Sequence, residues 1–566
     1  MDTNWALYAL GAVAVAAMLI WAPGRLRLSR AKHRSLSGHA RMSRRLAGLV
    51  PFYAYGELEF FASDGAPKDV AASRRAALGR LARDYRDDHP NAIALGERLE
   101  SGVSDVAFTN AYRVPFQYRD YLREHLRVAS FVEESADVRV KDTDGNWSYD
   151  LTGSYGVNVF GYDFYKDCID AGAARVRALG PVLGAYHPII EENVRRLREI
   201  SKLDEVSFHM SGTEAVMQAV RLAQYHTHRP NVVLFCGAYH GWWDGVQPGV
   251  GNPRRVRDVY TLEEMSERSL DVLRTRSDIA CVLVNPLQAL HPNRAAPGDG
   301  TLVDSSRSAS FDRAAYADWL GKLRKVCTER GIALVFDEVF LGFRLARGGA
   351  QEYFGVRADL VTYGKTLGGG LPVGVLCGVH RFMKRFRDDR PSDVCFARGT
   401  FNSHPYVLGA MNEFLRRLDS PAIAATYEQL DERWDRRAAA LNARLEAARL
   451  PVRVANLVSV WTILYPQPSR YNWMFQFYLR AEGLALSWVG SGRLIFSHNF
   501  SDVDFAAVAE RFLRAAETMY ADGWWWSAPA LTNKAIRRQI LKEIVRARFG
   551  RRAENSAPPA LVNPPA

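Results

Sequence analysis

A lysine that ends an apolar strand and precedes three glycines is placed for covalent chemistry with a carbonyl. In "LVTYGKTLGGGLPVGVLCG" (360–378), Lys365 closes the apolar run and Gly368, Gly369 and Gly370 follow. A charged, unpaired ammonium at the buried end of a strand is costly, so its pKa falls and the neutral amine that a Schiff base requires becomes available. The competing reading is a surface lysine beside a flexible turn. A second apolar run, "LVFDEVFLGFR" (334–344), delivers Asp337 and Glu338 at its end. Acids at the carboxyl ends of parallel strands lie where open α/β sheets bind ligands, although the same residues also cap helices. A third segment, "SFHMSGTEAVMQAVRLAQ" (207–224), passes through Ser211, Gly212 and Thr213 into an amphipathic helix. Glycine lets the backbone approach an anion there, and the hydroxyls, free amides and helix dipole can hold a phosphate; the same residues are equally a good N-cap.

The three segments are more specific together than apart. Pyridoxal phosphate needs a lysine for its aldehyde, an acid for its pyridine nitrogen and an anion site for its phosphate. Lys365, Asp337 and residues 211–213 supply these in turn. Asp337 would keep the ring nitrogen protonated, and Lys365, once displaced by substrate, can carry a proton. Tyr239 in "GAYHGWWDG" can stack on one ring face, and Val339 can pack on the other. Asp337 and Lys365 also end successive predicted strands, which weakens the surface-lysine reading. No metal site is expected, and the six scattered cysteines read as reduced, packed thiols.

Such groups need a scaffold. Apolar runs at 232–235, 280–284, 332–336 and 360–364 alternate with helical stretches, which predicts a mostly parallel sheet covered by helices. Asp144-Gly145 between two alternating runs signals a hairpin within 138–151, and 74–86 has a strong helical pattern. Strand-like "SVWTILY" and "GRLIFSH" fall in a second αβ region. The predicted class is α/β. A large, mostly parallel-sheet cofactor domain spans 201–411, and a smaller αβ domain is assembled from 128–200 and 412–522.

The formal charge of +12 is concentrated at the two ends, and no nucleic-acid recognition motif accompanies it, so no nucleic-acid partner is expected. Residues 5–22 form an uncharged apolar run at the short end of what spans a bilayer. Basic residues from Arg25 to Arg45 follow, with no acid before Glu57. This predicts a transmembrane signal anchor over 1–24, with the amino terminus outside and a cytoplasmic catalytic body. A cleaved signal would carry its basic residues ahead of the run, where only Asp2 stands. Residues 25–127 read as a basic juxtamembrane and helical extension. Residues 523–552 read as a Trp-rich, basic amphipathic helix, either lying on membrane lipids with Trp524, Trp525 and Trp526 at the interface or packed on the body. The tail, 553–566, reads as disordered.

The ordered motifs "SGTEA", "YHG", "DEV..GFR", "GK..GGGLPVG" and "GTF..HP" resemble class III aminotransferases of the pyridoxal-phosphate fold-type I superfamily, over roughly 138–522. They are most like glutamate-1-semialdehyde aminomutases and the aminotransferase domains of polyketide and peptide synthetases. The resemblance implies that Ser211, Gly212 and Thr213 form the phosphate loop and that Tyr239 with His240 forms the ring-stacking motif. It implies that Asp337 is the pyridinium partner, Val339 the second ring face, and Lys365 the Schiff-base lysine. Thr400 then reaches the phosphate of a neighbouring subunit, which implies a homodimer with shared active sites. Glu338 matches an acid near the cofactor, and Ser154 and Tyr155 match the segment lining the substrate entrance. Met210, Phe340 and the pair Tyr162-Asp163 depart from the common pattern; Met210 and Phe340 make the pocket more apolar, which offers Phe340 as a substrate contact.

The expected function is an aminotransferase moving an amino group from a donor to a carbonyl acceptor. The apolar substitutions and the anchor favour a hydrophobic, lipid-linked or carrier-linked acceptor. The alternative is an aminomutase, in which both half-reactions occur on one molecule. A catalytically retired cofactor-binding scaffold would be expected to lose the lysine, the acid or the phosphate loop, and all three are present. Arg344, Arg398 and Arg493 are all open as partners for a substrate α-carboxylate.

Overall fold

The computed structural model describes residues 22–550 apart from 129, 253, 255–256, 295–304, 306, 310 and 488–491, together with 12–13 and 15–16. Its strands, in chain order, begin with β1 (Val132–Ala136), β2 (Arg139–Asp142) and β3 (Trp147–Asp150), of which β2 and β3 form the hairpin around Asp144 and Gly145. Next come β4 (Glu205–His209), β5 (Asn231–Phe235), β6 (Val259–Leu262), β7 (Ile279–Val284), β8 (Ala333–Asp337), β9 (Leu360–Gly364) and β10 (Gly374–Gly378). The last four are β11 (Arg453–Leu457), β12 (Val460–Leu464), β13 (Leu484–Ala485) and β14 (Arg493–Ile495).

Seven strands make the central sheet, in the order β4-β10-β9-β8-β7-β5-β6. All neighbours run parallel except β10, which is antiparallel to both β4 and β9. The four apolar runs singled out in the sequence are β5, β7, β8 and β9. Strands β5, β7, β8, β9 and β10 are buried at every position, as covering both faces of a parallel sheet demands. Their alternate residues serve two cores. Val232, Leu234, Cys281, Leu283 and Val335 pack with Val216, Ala219 and Ala223 of the helix Gly212–Thr227. Val233, Phe235, Val282, Leu334 and Phe336 face a larger core that includes Leu320, Leu323 and Cys327 of the helix Arg313–Arg330.

The smaller αβ region contains β1-β2-β3-β13 and β11-β12-β14. The latter lies with the helices Leu430–Ala447 and Asp502–Ala521; the second begins in a reciprocal cap between Ser501 and Asp504. All six cysteines are free and buried.

The anchor expected over residues 1–24 is overturned: among the described residues no helix is long and apolar enough to cross a membrane. Of the apolar run, only Ala12, Val13, Val15, Ala16 and Ala22 lie within the described residues. The single-pass membrane placement, its orientation and the membrane-lipid partner fall with the anchor. The segment read as juxtamembrane is instead docked on the body: Leu28 and Ala31 are buried, and the Glu263 amide donates to Ala31 O (2.8 Å). Trp524 and Trp525 are likewise fully buried rather than interfacial, because each indole N–H has an internal acceptor, Tyr478 Oη (2.7 Å) and Asn472 Oδ1 (3.0 Å) respectively. The disordered reading of 553–566 lies outside the described residues.

The amino-terminal extension and the carboxy-terminal helix Asn533–Gly550 are tied together through buried charge. Arg74 grips Asp64 with two parallel bonds (2.9 and 2.7 Å) and donates through Nε to Gly523 O (2.8 Å). Arg470, fully buried, donates to Glu543 Oε1 (2.9 Å) on the terminal helix and to Ser63 O (3.0 Å) in the extension. Tyr55 Oη adds a 2.6 Å bond to the other Glu543 oxygen. Removing one partner of a buried ion pair strands the other charge. Glu543→Ala is therefore expected to destabilise the protein by about 3 kcal/mol, read from the urea unfolding midpoint; a loss below about 1 kcal/mol would show that this junction carries little.

Candidate active site

Strands β8 and β9 are adjacent and parallel, so the residues that leave their carboxyl ends emerge side by side. The register pairs Asp337 with Thr362, and Lys365 follows β9 directly. Asp337 is buried, and its oxygens are engaged on every side. Oδ1 accepts from the Val339 amide (3.2 Å) and the Thr362 hydroxyl (3.3 Å), and Oδ2 lies 2.9 Å from His240 Nδ1. A carboxyl group bonded this way is fixed in direction.

Lys365 adopts the left-handed conformation, φ +49°, which costs a non-glycine residue on the order of 1–2 kcal/mol. Its amine pKa is lowered by burial and, less strongly, by the Arg344 charge, while Asp337 opposes the shift. The lysine is thus biased toward the neutral amine that carbonyl chemistry needs. Phe340 covers it, with Nζ 5.8 Å from the ring centroid. On the other side runs the turn Gly153–Gly156. A Cβ on Gly156 (φ +97°) would lie 2.7 Å from the Phe340 ring and 3.4 Å from Lys365 Cδ, so only glycine lets this backbone come so close. Ser154 and Tyr155 flank it with φ of +44° and +56°. They are held there by Thr152 Oγ1 accepting from the Ser154 amide (2.9 Å) and by a chain from Ser154 Oγ through Tyr162 Oη to Asp150 (2.8 Å each).

Ser211 caps the helix Gly212–Thr227, its hydroxyl accepting from the Glu214 amide (3.3 Å) while the Glu214 carboxylate takes the Met210 amide (2.9 Å). A helix start carries amides without intrahelical partners and the positive end of the dipole. The loop of Tyr239 and His240 lies against it: a Cβ on Gly241 (φ +93°) would meet Thr213 Oγ1 at 2.6 Å. Val339 packs against Gly212 on the opposite side. Tyr239 is more than half exposed, its carbonyl held by Asn285 Nδ2 (2.9 Å), and its phenol pKa is raised by burial and by Asp337.

The structure therefore brings Lys365, Asp337, His240, Val339, Phe340, the 211–213 loop and the Ser154–Tyr155 turn together. Glu338 is placed differently. Its carboxyl turns away from Asp337 to the start of the short helix Gly349–Phe354, accepting from the amides of Ala350 (2.6 Å) and Gln351 (3.3 Å). Thr400 is exposed in the single chain. Of the three arginines left open, Arg344 is fully buried and donates to Ser459 Oγ, Phe496 O and Asn158 O. Arg398 reaches Gly184 O at the surface, and Arg493 lies against His291 Nε2. Thr362, Asn285 and Gly156 were not singled out in the sequence. The position of Thr362 three residues before Lys365 on a strand beside Asp337 was the available signal.

These residues fit pyridoxal phosphate. His240 Nε2 is buried without a hydrogen-bond partner in the structure, beside a carboxyl aimed from a strand end. The lysine is desolvated, and a helix start faces the same space. When bound, the cofactor supplies an electron-withdrawing ring. The chain's own groups would orient it through Asp337, hold its phosphate at Ser211 and Thr213, and move a proton at Lys365 Nζ.

Burial pushes the Glu338 carboxyl up to about 8, against an ordinary 4.5. The folded protein then holds a proton that the unfolded chain releases, so stability falls as pH rises through this window and levels off above it. Glu264, also pushed up to about 8, contributes a slope of the same sign. Glu338→Gln is expected to flatten part of the decline between about pH 5 and about pH 8, measured by urea unfolding at both; a slope equal to that of the wild type would contradict this account of Glu338.

The family model described as Aminotransferase class-III matches residues 121–515. A relative from Geotalea daltonii named glutamate-1-semialdehyde 2,1-aminomutase is 30% identical over 422 residues, covering 68% of this chain and 91% of the relative. A solved transaminase with bound pyridoxal phosphate is 26% identical, with a TM-score of 0.58 over 70% of this chain and 92% of its own. A glutamate-1-semialdehyde aminomutase structure from Pseudomonas aeruginosa shares the fold at 18% identity, with a TM-score of 0.63 over 79% and 99% of the two chains. The architecture is that of fold-type I. The chain belongs to the class III aminotransferases and is a pyridoxal-phosphate-dependent aminotransferase or aminomutase.

Proposed function

We propose that this enzyme moves an amino group between neighbouring carbons of a single substrate, as an aminomutase of the glutamate-1-semialdehyde type. The observation that carries this reading is the match along 91% of a relative bearing that name. In this reading Lys365 Nζ would move the proton at the substrate carbon that carries the amine, Asp337 would hold the ring nitrogen, and Phe340 would shield the reacting carbon from water. Tyr239 and Val339 would flank the ring, and Ser154 and Tyr155 would border the entrance.

Transfer from an amino donor to a separate carbonyl acceptor is the second reading, and two observations favour it. Phe340 puts an aromatic ring over Lys365, and Arg344, the arginine under that ring, is already bound to three neutral oxygens rather than presented to a carboxylate. Both fit an apolar acceptor better than a dicarboxylic one. Either way, two copies of the chain would complete the sites. Thr400 is exposed beside a hollow of about 410 Å³ lined by Phe208, Met210, Phe401 and Tyr406, and a second copy would cover it.

The two readings separate on one measurement. The holoenzyme is supplied with glutamate-1-semialdehyde and no second carbonyl compound. Sustained turnover supports the aminomutase. A single equivalent converted, with turnover restored by an added 2-oxo acid, would refute it in favour of transfer.

A further inference from the structure

The family match begins at residue 121, yet the helices ahead of it pack on the smaller αβ region, where Tyr85 Oη donates to Phe477 O (2.8 Å). A cavity of about 900 Å³ lies between this extension and the smaller αβ region. Tyr85, Ile93, Val106, Thr109 and Arg113 of the extension form one wall. The hairpin strands and residues 484–487 form the others, and Ser154 and Tyr155 also line it. That last pair matters most. The turn that carries them has Lys365 Cδ and the Phe340 ring against its Gly156 and the cavity against Ser154 and Tyr155. One turn of backbone therefore lies between the cavity and the lysine, in contact with both. Both residues keep a left-handed φ that side chains disfavour, a strain that is characteristic of ligand-contacting segments.

The chemistry of the wall limits what the cavity can take. Several of its polar groups satisfy one another: His89 Nδ1 with Asp142 (2.6 Å), Tyr162 with Asp150 (2.8 Å), and Arg480 with the carbonyls of Leu486 and Ser487, while Asp105, Glu133, Glu134 and Lys166 also line it. Between them lie Ile93, Val106, Val128, Phe131, Leu484 and Leu486, interspersed with the hydroxyls of Thr109, Ser130 and Ser148. Small-molecule sites run to roughly 1,000 Å³, so this one is near the upper bound and far larger than a short amino acid requires.

We propose that the amino-terminal extension builds a substrate subsite in this cavity. It receives the body of an elongated amphipathic amine, an aliphatic chain bearing hydroxyl groups, whose amine-bearing carbon reaches Lys365 past Ser154 and Tyr155. The inference rests on the second of the two readings, transfer between separate molecules, and adds a substrate class to it.

The test uses the full-length holoenzyme and a series of linear amino alcohols of about three to about twelve carbons. Each methylene buried in the cavity strengthens binding, so kcat/KM for the amine half-reaction is expected to rise at least about tenfold along the series. Val106→Trp, which fills the cavity outside the cofactor site, should abolish that rise and leave the shortest amine within about twofold of wild type. A second readout is independent of turnover. All native cysteines are buried, so Thr109→Cys offers a maleimide one accessible thiol, and the longest amino alcohol should slow its labelling while the shortest does not. If short amines react, length gains nothing and labelling is unaffected, the subsite is refuted and amino-group chemistry stands. If no amine reacts and none slows labelling of the Thr109→Cys protein, the subsite is refuted, and turnover of glutamate-1-semialdehyde separately decides whether amino-group chemistry stands.

Discussion

The structure depends on two parallel strands ending at the same place. Strands β8 and β9 are hydrogen-bonded neighbours, and the one delivers Asp337 where the other delivers Lys365. Everything else in the site serves to hold these two groups usable. Thr362, Val339 and His240 fix the carboxyl from three directions, and Phe340 with the Gly153–Gly156 turn crowds the lysine side chain. A lysine exposed to water would keep its proton, and a carboxyl free to rotate could not orient a ring. The sheet's double covering is therefore part of the chemistry, because burial is what depresses the lysine pKa.

Much of this was legible in the sequence. The apolar runs ending in Asp337 and Lys365 are short, bounded and rich in branched residues, which marks them as buried strands. The loop at 211–213 reads as a helix start from residue types alone. What did not read through were contacts set by side-chain direction. Glu338 follows Asp337 in sequence, and the alternation of a strand end sends its carboxyl to the opposite side, to the amides of Ala350 and Gln351. The role of Thr362 depended on the pairing of β8 with β9, which strand periodicity does not specify.

The two ends of the chain were the least legible. Basic residues after an apolar run, and tryptophans before a basic helix, have the composition of a membrane-facing protein. Here the two tryptophans are consumed by packing, and both ends dock on the body through charges elsewhere in the chain. Arg74 binds Asp64, Arg470 binds Glu543, and Trp524 and Trp525 sit in the core with their N–H groups satisfied. Composition records that a residue is cationic or aromatic; only the fold decides whether it meets lipid, water or a buried partner. The extension so anchored becomes a wall beside the catalytic turn rather than a tether.

The central claim is that Lys365 is the cofactor's point of attachment. It is tested most directly by reducing the holoenzyme with borohydride and mapping the modified peptide by mass spectrometry. The account predicts a phosphopyridoxyl group on the peptide containing Lys365, and no such adduct in Lys365→Ala. Modification of a different lysine, or an unchanged adduct in the variant, would contradict it.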